Sequence, residues 1–272
     1  MTTELSPQEK YALITRNLQD SIGGQYLLGL LEKRSPVIYW GTAPTGRIHI
    51  GYFVPMLKIR DFVNAGCNVT ILIADIHAFL DNLKCPFEKI EHRSQYYIKT
   101  IKCMLTLLGV NLDRITFIKG SEYQLDKNIM LDLFKLASVT NVTQAKHAGA
   151  EVVKKSSDPK LTSLLYPLLQ SLDEKYLNAD AELGGKDQRK IFGYSIDYMP
   201  KIGYKREFTY LMNPVVPGLS RKKATEVTSD LETKMSSSEN IAGSKIDLLD
   251  SPETIGENIK KTYYNIILHF LP

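Results

Sequence analysis

The sequence predicts an α/β protein: a doubly wound parallel sheet with helices on both faces and a helical connective insertion. Three observations predict it. Short β-prone runs alternate with helical periods through the first half, in the order β-α-β-α-β. Such alternation implies parallel strands joined by right-handed crossovers. One run, Val69-Thr-Ile-Leu-Ile-Ala74, is almost wholly apolar, as a strand covered on both faces must be. After Lys119 the pattern turns mainly helical. In such a sheet ligands bind at the carboxyl ends of the strands. Functional residues are therefore expected just after Tyr39, Ala74 and the later strands.

The elements follow in order. Ser6 caps a first helix, with Pro7 at the first helical position and Glu9 completing a capping box. Tyr11, Ile14 and Leu18 lie at helical spacing, and Gly23-Gly24 is read as the stop. Val37-Ile38-Tyr39-Trp40 is a strand bounded by Pro36 and Gly41. Turn residues fill Gly41 to Gly51, and a helix runs through Phe53, Leu57 and Phe62 to Gly66. After the strand at Val69–Ala74, Ile90, Tyr97, Ile101, Leu105 and Leu108 share one helical face, and Gly109 ends it. Ile115–Ile118 is a third strand. Helices are expected near Asp126–Ser138, Leu161–Leu177 and Gln188–Tyr198, and a strand at Glu207–Met212. Pro167 inside the second of these predicts a kink or a helix start. Lys222–Thr233 is polar, without period, and reads as a loop; Ser251-Pro252-Glu253 opens a last helix.

Composition narrows the function classes. The 272 residues carry 43% hydrophobic and 24% charged side chains and a net charge of +4, which is ordinary globular balance with enough apolar material for a core. The small basic surplus tolerates a polyanion without announcing one. Cys67, Cys85 and Cys103 form no CxxC pair, so neither a zinc site nor a disulfide framework is expected. No metal-ligand set is read from the sequence. There is no apolar run long enough for a membrane span and no leader-like start, so a cytoplasmic enzyme that does not engage membranes is the expectation.

Two segments carry chemistry. Pro44-Thr-Gly-Arg-Ile-His49-Ile-Gly51-Tyr52 lies between a strand and a helix, where backbone N–H groups converge and a helix N-terminus favours anions. Gly46 and Gly51 let a bulky ligand approach the backbone, and His49 can donate to a phosphate; the same residues also suit an ordinary βα turn. Far downstream stands Lys234-Met235-Ser236-Ser237-Ser238. A lysine beside three hydroxyls suits a polyphosphate, though serine-rich loops are often mere linkers. On the helix from Leu161, Tyr166, Gln170 and Asp173 are spaced by four and three and share a face, which is either solvated or built for a ligand.

Taken together, the His-Ile-Gly-Tyr and Lys-Met-Ser-Ser-Ser segments resemble the paired signatures of class I aminoacyl-tRNA synthetases. The resemblance to the eukaryotic and archaeal tyrosyl-tRNA synthetases runs from about Ser6 to Thr262. It includes Tyr39-Trp40-Gly41, Tyr52-Phe53-Val54-Pro55-Met56, Ala74-Asp75-Ile76-His77-Ala78, Gly149-Ala150-Glu151-Val152-Val153, Leu165-Tyr166-Pro167, Gly184-Gly185-Lys186-Asp187-Gln188-Arg189-Lys190, Met212-Asn213-Pro214 and Lys245-Ile246-Asp247-Leu248-Leu249. It implies a Rossmann-like catalytic domain over 1–260 and a tyrosine–tRNA ligase that makes tyrosyl-AMP from L-tyrosine and ATP, with Mg²⁺ on the pyrophosphate, then charges tRNA(Tyr). By position, Tyr39, Tyr166, Gln170, Asp173 and Gln188 would bind tyrosine, and His49 and Lys234 would be catalytic. Gly41, Pro44, Gly46, His49, Gly51, Asp187, Lys234, Met235, Ser236, Ser237 and Ser238 would hold ATP. A homodimer is implied, its interface sought after Lys119.

The sequence departs from the family pattern twice. About a dozen extra residues, Arg221–Thr233, precede the lysine motif; loop entropy grows slowly with length, so folding should survive while loop closure slows. Residues 261–272 stand where a helical anticodon-binding domain would begin, which predicts intact adenylation and weak tRNA charging. Two other readings compete: the tryptophan enzyme, disfavoured by Tyr39 with Asp173, and an inactive paralogue acting as a binding module, disfavoured by the retained His49 and Lys234.

Overall fold

The computed structural model describes residues 5–81, 85–153, 159–219, 234–238 and 243–261. The chain divides into two compact units, Met1–Pro44 with Pro55–Pro214, and Thr45–Val54 with Val215–Pro272.

The first unit holds a six-stranded sheet: β1 (Asp20–Ile22), β2 (Val37–Thr42), β3 (Asn68–Ile73), β4 (Ile115–Lys119), β5 (Ala181–Gly185) and β6 (Thr209–Asn213). Its order is β1-β6-β5-β2-β3-β4. Every pairing is parallel except that of β1 with β6. From β2 the chain steps outward through β3 to β4, then returns to β5 on the other flank of β2. The strand order therefore reverses between β2 and β5, the place where open α/β sheets bind ligands. All five residues of β6 and the first four of β5 are buried, as strands covered on both faces require.

The helices follow their sequence signals closely. The capping box at Ser6 and Glu9 forms as predicted and opens α1 (Pro7–Thr15). That helix stops eight residues short of Gly23, because Asn17 turns left-handed and Asp20–Ile22 becomes the antiparallel edge strand. Gly23 does not end the first helix but begins α2 (Gly24–Leu31), at φ +78° and so close to the Phe208 carbonyl that no side chain fits. Then come α3 (Phe53–Asn64), α4 (Asp75–Leu80) and α5 (Ile90–Leu107).

The insertion between β4 and β5 is helical, as expected: α6 (Lys127–Ser138), α7 (Val142–Gly149) and α8 (Leu161–Tyr176). With α9 (Arg189–Tyr198) they share one apolar core built on Ile129, Leu133, Leu136, Leu169, Leu172 and Ile191. α8 starts at Leu161, not at Pro167, and takes the proline into its body. Proline has no N–H for the Ser163 carbonyl, but Ser171 Oγ donates to the Pro167 carbonyl one turn on. Among the described residues no helix is long and apolar enough to cross a membrane.

In the second unit, the backbone at His49 pairs with that at Asp247, and Pro217 pairs with Lys234. The helix predicted after Ser251 is α10 (Pro252–Lys261). The insert at 221–233 lies outside the described residues.

Candidate active site

The first unit has a cavity of about 160 Å³ at the reversal between β2 and β5. Its walls are β2 (Tyr39, Gly41), the end of β3 and start of α4 (Ala74, His77), α8 (Tyr166, Gln170, Asp173) and β5 into the next turn (Glu182, Gly184, Gln188). All five residues assigned to tyrosine line it. The shared face of Tyr166, Gln170 and Asp173 is therefore not a solvated one: Tyr166 is 8% exposed and Asp173 1%.

Asp173 accepts two hydrogen bonds, from Tyr123 Oη at 2.6 Å and Gln124 Nε2 at 2.7 Å, both on Oδ1. Oδ2 takes none among the described residues and is left for a ligand. Burial pushes the carboxyl up to about 7, and the two donors only partly offset it. Tyr39 is fully buried, and its hydroxyl lacks a well-aligned hydrogen bond. Burial and the nearby Glu182 carboxylate hold this phenol protonated. An orphan hydroxyl and a half-used carboxylate thus share one cavity, and buried polar groups of this kind call for a partner. Gln170 Nε2 donates to Glu182 Oε1 at 2.9 Å and to Gln188 Oε1 at 3.1 Å. His77 packs edge-on against the Tyr166 ring, centroids 4.6 Å apart, and burial lowers it to about 4, so it is neutral.

Sequence reading missed four of these residues as parts of the site. His77 lies inside a quoted motif without a role. Tyr123 and Gln124 sit in and beside the turn after β4, about fifty residues from the carboxylate they hold. Glu182 lies on a strand that apolar pattern alone did not reveal. A lone acid in an otherwise apolar Ala181–Gly185 run was the available signal.

Gly41 stands on β2, Pro44 directly follows it by two residues, and Asp187 is 9% exposed in the turn after β5. The remaining predicted nucleotide residues belong to the second unit, where the two signature segments meet. Thr45 Oγ1 and Ser237 Oγ are 3.1 Å apart. Gly46 lies against the Ser237 carbonyl with no room for a Cβ, and a Cβ on Gly51 would sit 3.6 Å from Met235 Sδ. Ser236 and Ser238 hydroxyls are 3.1 Å apart. Lys234 is half-buried.

His49 is 6% exposed. Its Nδ1 accepts the Gly51 N–H at 3.2 Å, which places the imidazole proton on Nε2. Burial, with help from the positive charge of Lys245, lowers it to about 4. At neutral pH His49 is therefore an uncharged donor. Lys245 donates to the Ser237 carbonyl at 2.8 Å and faces Asp247 Oδ1 at 3.6 Å, supplying a second cation beside the histidine. It lies in a quoted motif that sequence reasoning left without a role. Among the described residues no group of three or more His, Cys, Asp or Glu side chains gathers as a metal cage.

Residues 31–265 match the family profile of the class I tRNA synthetases for tryptophan and tyrosine (W and Y). The cytoplasmic tyrosine–tRNA ligase of Gallus gallus is 52% identical over 97% of this chain and 47% of its own length. The probable cytoplasmic tyrosine–tRNA ligase of Encephalitozoon cuniculi is 50% identical over 95% of this chain and 73% of its own. The chain thus spans about half the length of the first vertebrate relatives it matches. The crystal structure of Archaeoglobus fulgidus tyrosyl-tRNA synthetase complexed with L-tyrosine superposes with a TM-score of 0.81 at 35% identity, covering 95% of this chain and 76% of that one. The profile covers most of the chain and relatives of 50% identity or more agree with it: the chain belongs to the class I tRNA synthetases of the tryptophan and tyrosine group.

Proposed function

We propose that this chain is a tyrosine–tRNA ligase, which activates L-tyrosine with ATP and passes it to tRNA(Tyr). The observation that carries the reading is Asp173: a buried carboxyl group lining the cavity, with one oxygen fixed by Tyr123 and Gln124 and the other accepting no bond among the described residues. Such an acceptor suits a phenol and leaves phenylalanine with an unpaired buried group opposite it. Tyr39 adds its hydroxyl to the same cavity. Tyr166, Gln170 and Gln188 offer hydroxyl and amide partners for the ammonium and carboxylate of the amino acid. The names of the relatives support tyrosine over tryptophan.

The reaction needs no covalent enzyme intermediate. The tyrosine carboxylate attacks the α-phosphate and pyrophosphate leaves, so catalysis is positioning plus stabilisation of phosphate charge. His49 donates from Nε2 without carrying charge of its own. Lys234 supplies the cation, Ser236, Ser237 and Ser238 supply hydroxyls, and Gly46 and Gly51 keep the backbone open; Gly41, Pro44 and Asp187 complete the nucleotide set. Mg²⁺, which prefers phosphate oxygens and water, would enter as the counterion of ATP.

A homodimer is part of the reading. Its interface is sought after Lys119, where Leu131 and Phe134 on α6 and Val142 at the start of α7 are large apolar side chains left exposed, the kind of surface that association covers. The relatives named cytoplasmic support the same compartment here. Tyrosine-dependent ATP–pyrophosphate exchange tests the function: exchange with tyrosine alone is expected. Exchange with tryptophan would favour the sister specificity, and none with either would favour an inactive binding module.

A further inference from the structure

Glu182 lines the cavity, accepts from Gln170 and stands beside the Tyr39 phenol, yet it has been given no part in holding the substrate. It lies on β5 and is 3% exposed. Its register partners are Tyr39 on β2 and Tyr210 on β6, so one row of three side chains crosses one face of the sheet. Tyr210 Oη is engaged elsewhere, donating to Glu174 Oε1 at 2.8 Å. Over this row lies α8, from which Gln170 Nε2 reaches Glu182 at 2.9 Å. A carboxyl group buried on a central strand is costly, and burial with Glu174 close by raises it well above the usual range.

A side-chain amide offers N–H donors at one end and a carbonyl acceptor at the other. Two acceptors, Glu182 Oε1 and Gln188 Oε1, both lie on the Nε2 side of Gln170. That fixes which way the amide is turned, and leaves its carbonyl oxygen for the cavity that Gln170 lines. We propose that Glu182 is a positioning residue: it locks the Gln170 amide so that Oε1 faces the cavity as an acceptor for the substrate ammonium. Without an acceptor at position 182 the amide keeps only the longer bond to Gln188 Oε1, itself an amide that can turn over, so the two can turn together and the Gln170 NH₂ then opposes an ammonium. The inference rests on the reading that the cavity takes tyrosine.

Equilibrium binding of three ligands tests it: tyrosine, tyramine and 3-(4-hydroxyphenyl)propionate, the last lacking the ammonium. Glu182→Met removes the acceptor at nearly constant volume. It is expected to weaken tyrosine and tyramine by about tenfold or more, the scale of a lost hydrogen bond to a charged group, and to leave the propionate within about twofold. Exchange should then show a raised KM for tyrosine with kcat little changed. Glu182→Gln keeps a carbonyl acceptor and should restore binding of all three. Equal weakening of the three ligands, or no weakening, overturns the proposal. If Glu182→Met does not fold, Glu182→Asp withdraws the acceptor by one methylene and must show the same selectivity at smaller size; uniform behaviour overturns it equally. Failure of the wild type to bind tyrosine would instead overturn the reading beneath, so the two failures are distinct.

Discussion

At the scale of the residue, Asp173 ties the pocket to pH. Its carboxyl is pushed up to about 7 by burial, so the empty pocket holds a proton below that value and releases it above. The ionised form accepts the phenol hydrogen bond on its second oxygen far more strongly than the protonated form, which retains only a neutral acceptor there. Nearby Tyr39, Tyr123 and Tyr166 stay protonated and His77 stays neutral through this range, while Glu174, pushed up to about 8 by burial, titrates at its upper end and Glu182 is raised by burial as well, so the same profile in Glu182→Gln isolates the part due to Asp173. Tyrosine affinity is therefore expected to rise about tenfold between pH 6 and 8. Equilibrium dialysis checks this, and a flat profile would contradict it. Stability runs the other way. A folded value raised above 3.8 means that the folded state holds the proton more tightly, so this group's contribution is full below about 4 and is lost as pH climbs through 7. The residue was legible as a candidate because Tyr166, Gln170 and Asp173 recur at helical spacing. Its anchors were not: nothing local links Tyr123 and Gln124 to a carboxylate on a different helix.

At the scale of the element, β5 is the strand on which the site turns. Alternating and apolar patterns predicted β2, β3, β4 and β6, but Ala181–Gly185 is short and ends in two glycines, so it was visible only as a motif. The glycines are there for closeness. A Cβ on Gly184 would stand 2.7 Å from Phe192 Cζ and 2.8 Å from Gln188 Cγ. Gly184→Ala must push one or both aside, and because Gln188 is bonded to Gln170 the disturbance reaches the cavity. Overpacking of this kind costs about 1–3 kcal/mol. The expected outcome is a lower thermal midpoint together with a raised KM for tyrosine; a changed midpoint with an unchanged KM would separate the glycine from the site. Likewise, the length of α1 was misread because Leu18 continued the helical spacing past the left-handed turn at Asn17, a conformation that sequence period does not encode.

At the scale of the molecule, the first unit is tied across its sheet by one buried acid. Asp180, 1% exposed, precedes β5. It accepts from Arg34 at 2.6 Å through each oxygen, from Arg206 at 2.6 Å and from the Val37 N–H at 2.9 Å. Burial raises this carboxyl, but the bonds to Arg34 and Val37 and the charge of Arg206 outweigh it and hold it below the usual range. It thereby joins the segment after α2, the first residue of β2 and the approach to β6. Asp180→Ala removes all of these at once; because both arginines remain partly in water, the expected cost is about 3 kcal/mol rather than more. Chemical denaturation measures it, and a loss under about 1 kcal/mol would show that the arginines find other partners. The sheet order itself was only partly legible. Alternation predicted parallel strands, yet the reversal between β2 and β5 depends on a return that starts after Lys119 and ends at Ala181, and no local pattern says on which flank of β2 it ends. That reversal gathers Tyr39, Gln170, Asp173 and Gln188 around one cavity.

The central claim is that this cavity selects a phenol through Asp173. The most direct measurement is the ratio of kcat/KM for tyrosine to that for phenylalanine in ATP–pyrophosphate exchange, in the wild type and in Asp173→Asn. The wild type should favour tyrosine by roughly 10⁴ or more, the known scale for sites that hydrogen-bond a substrate hydroxyl, tyrosine activation among them. Asp173→Asn should lower that ratio by at least about a hundredfold, through loss of tyrosine rather than gain of phenylalanine. A variant that discriminates as well as the wild type would contradict the account.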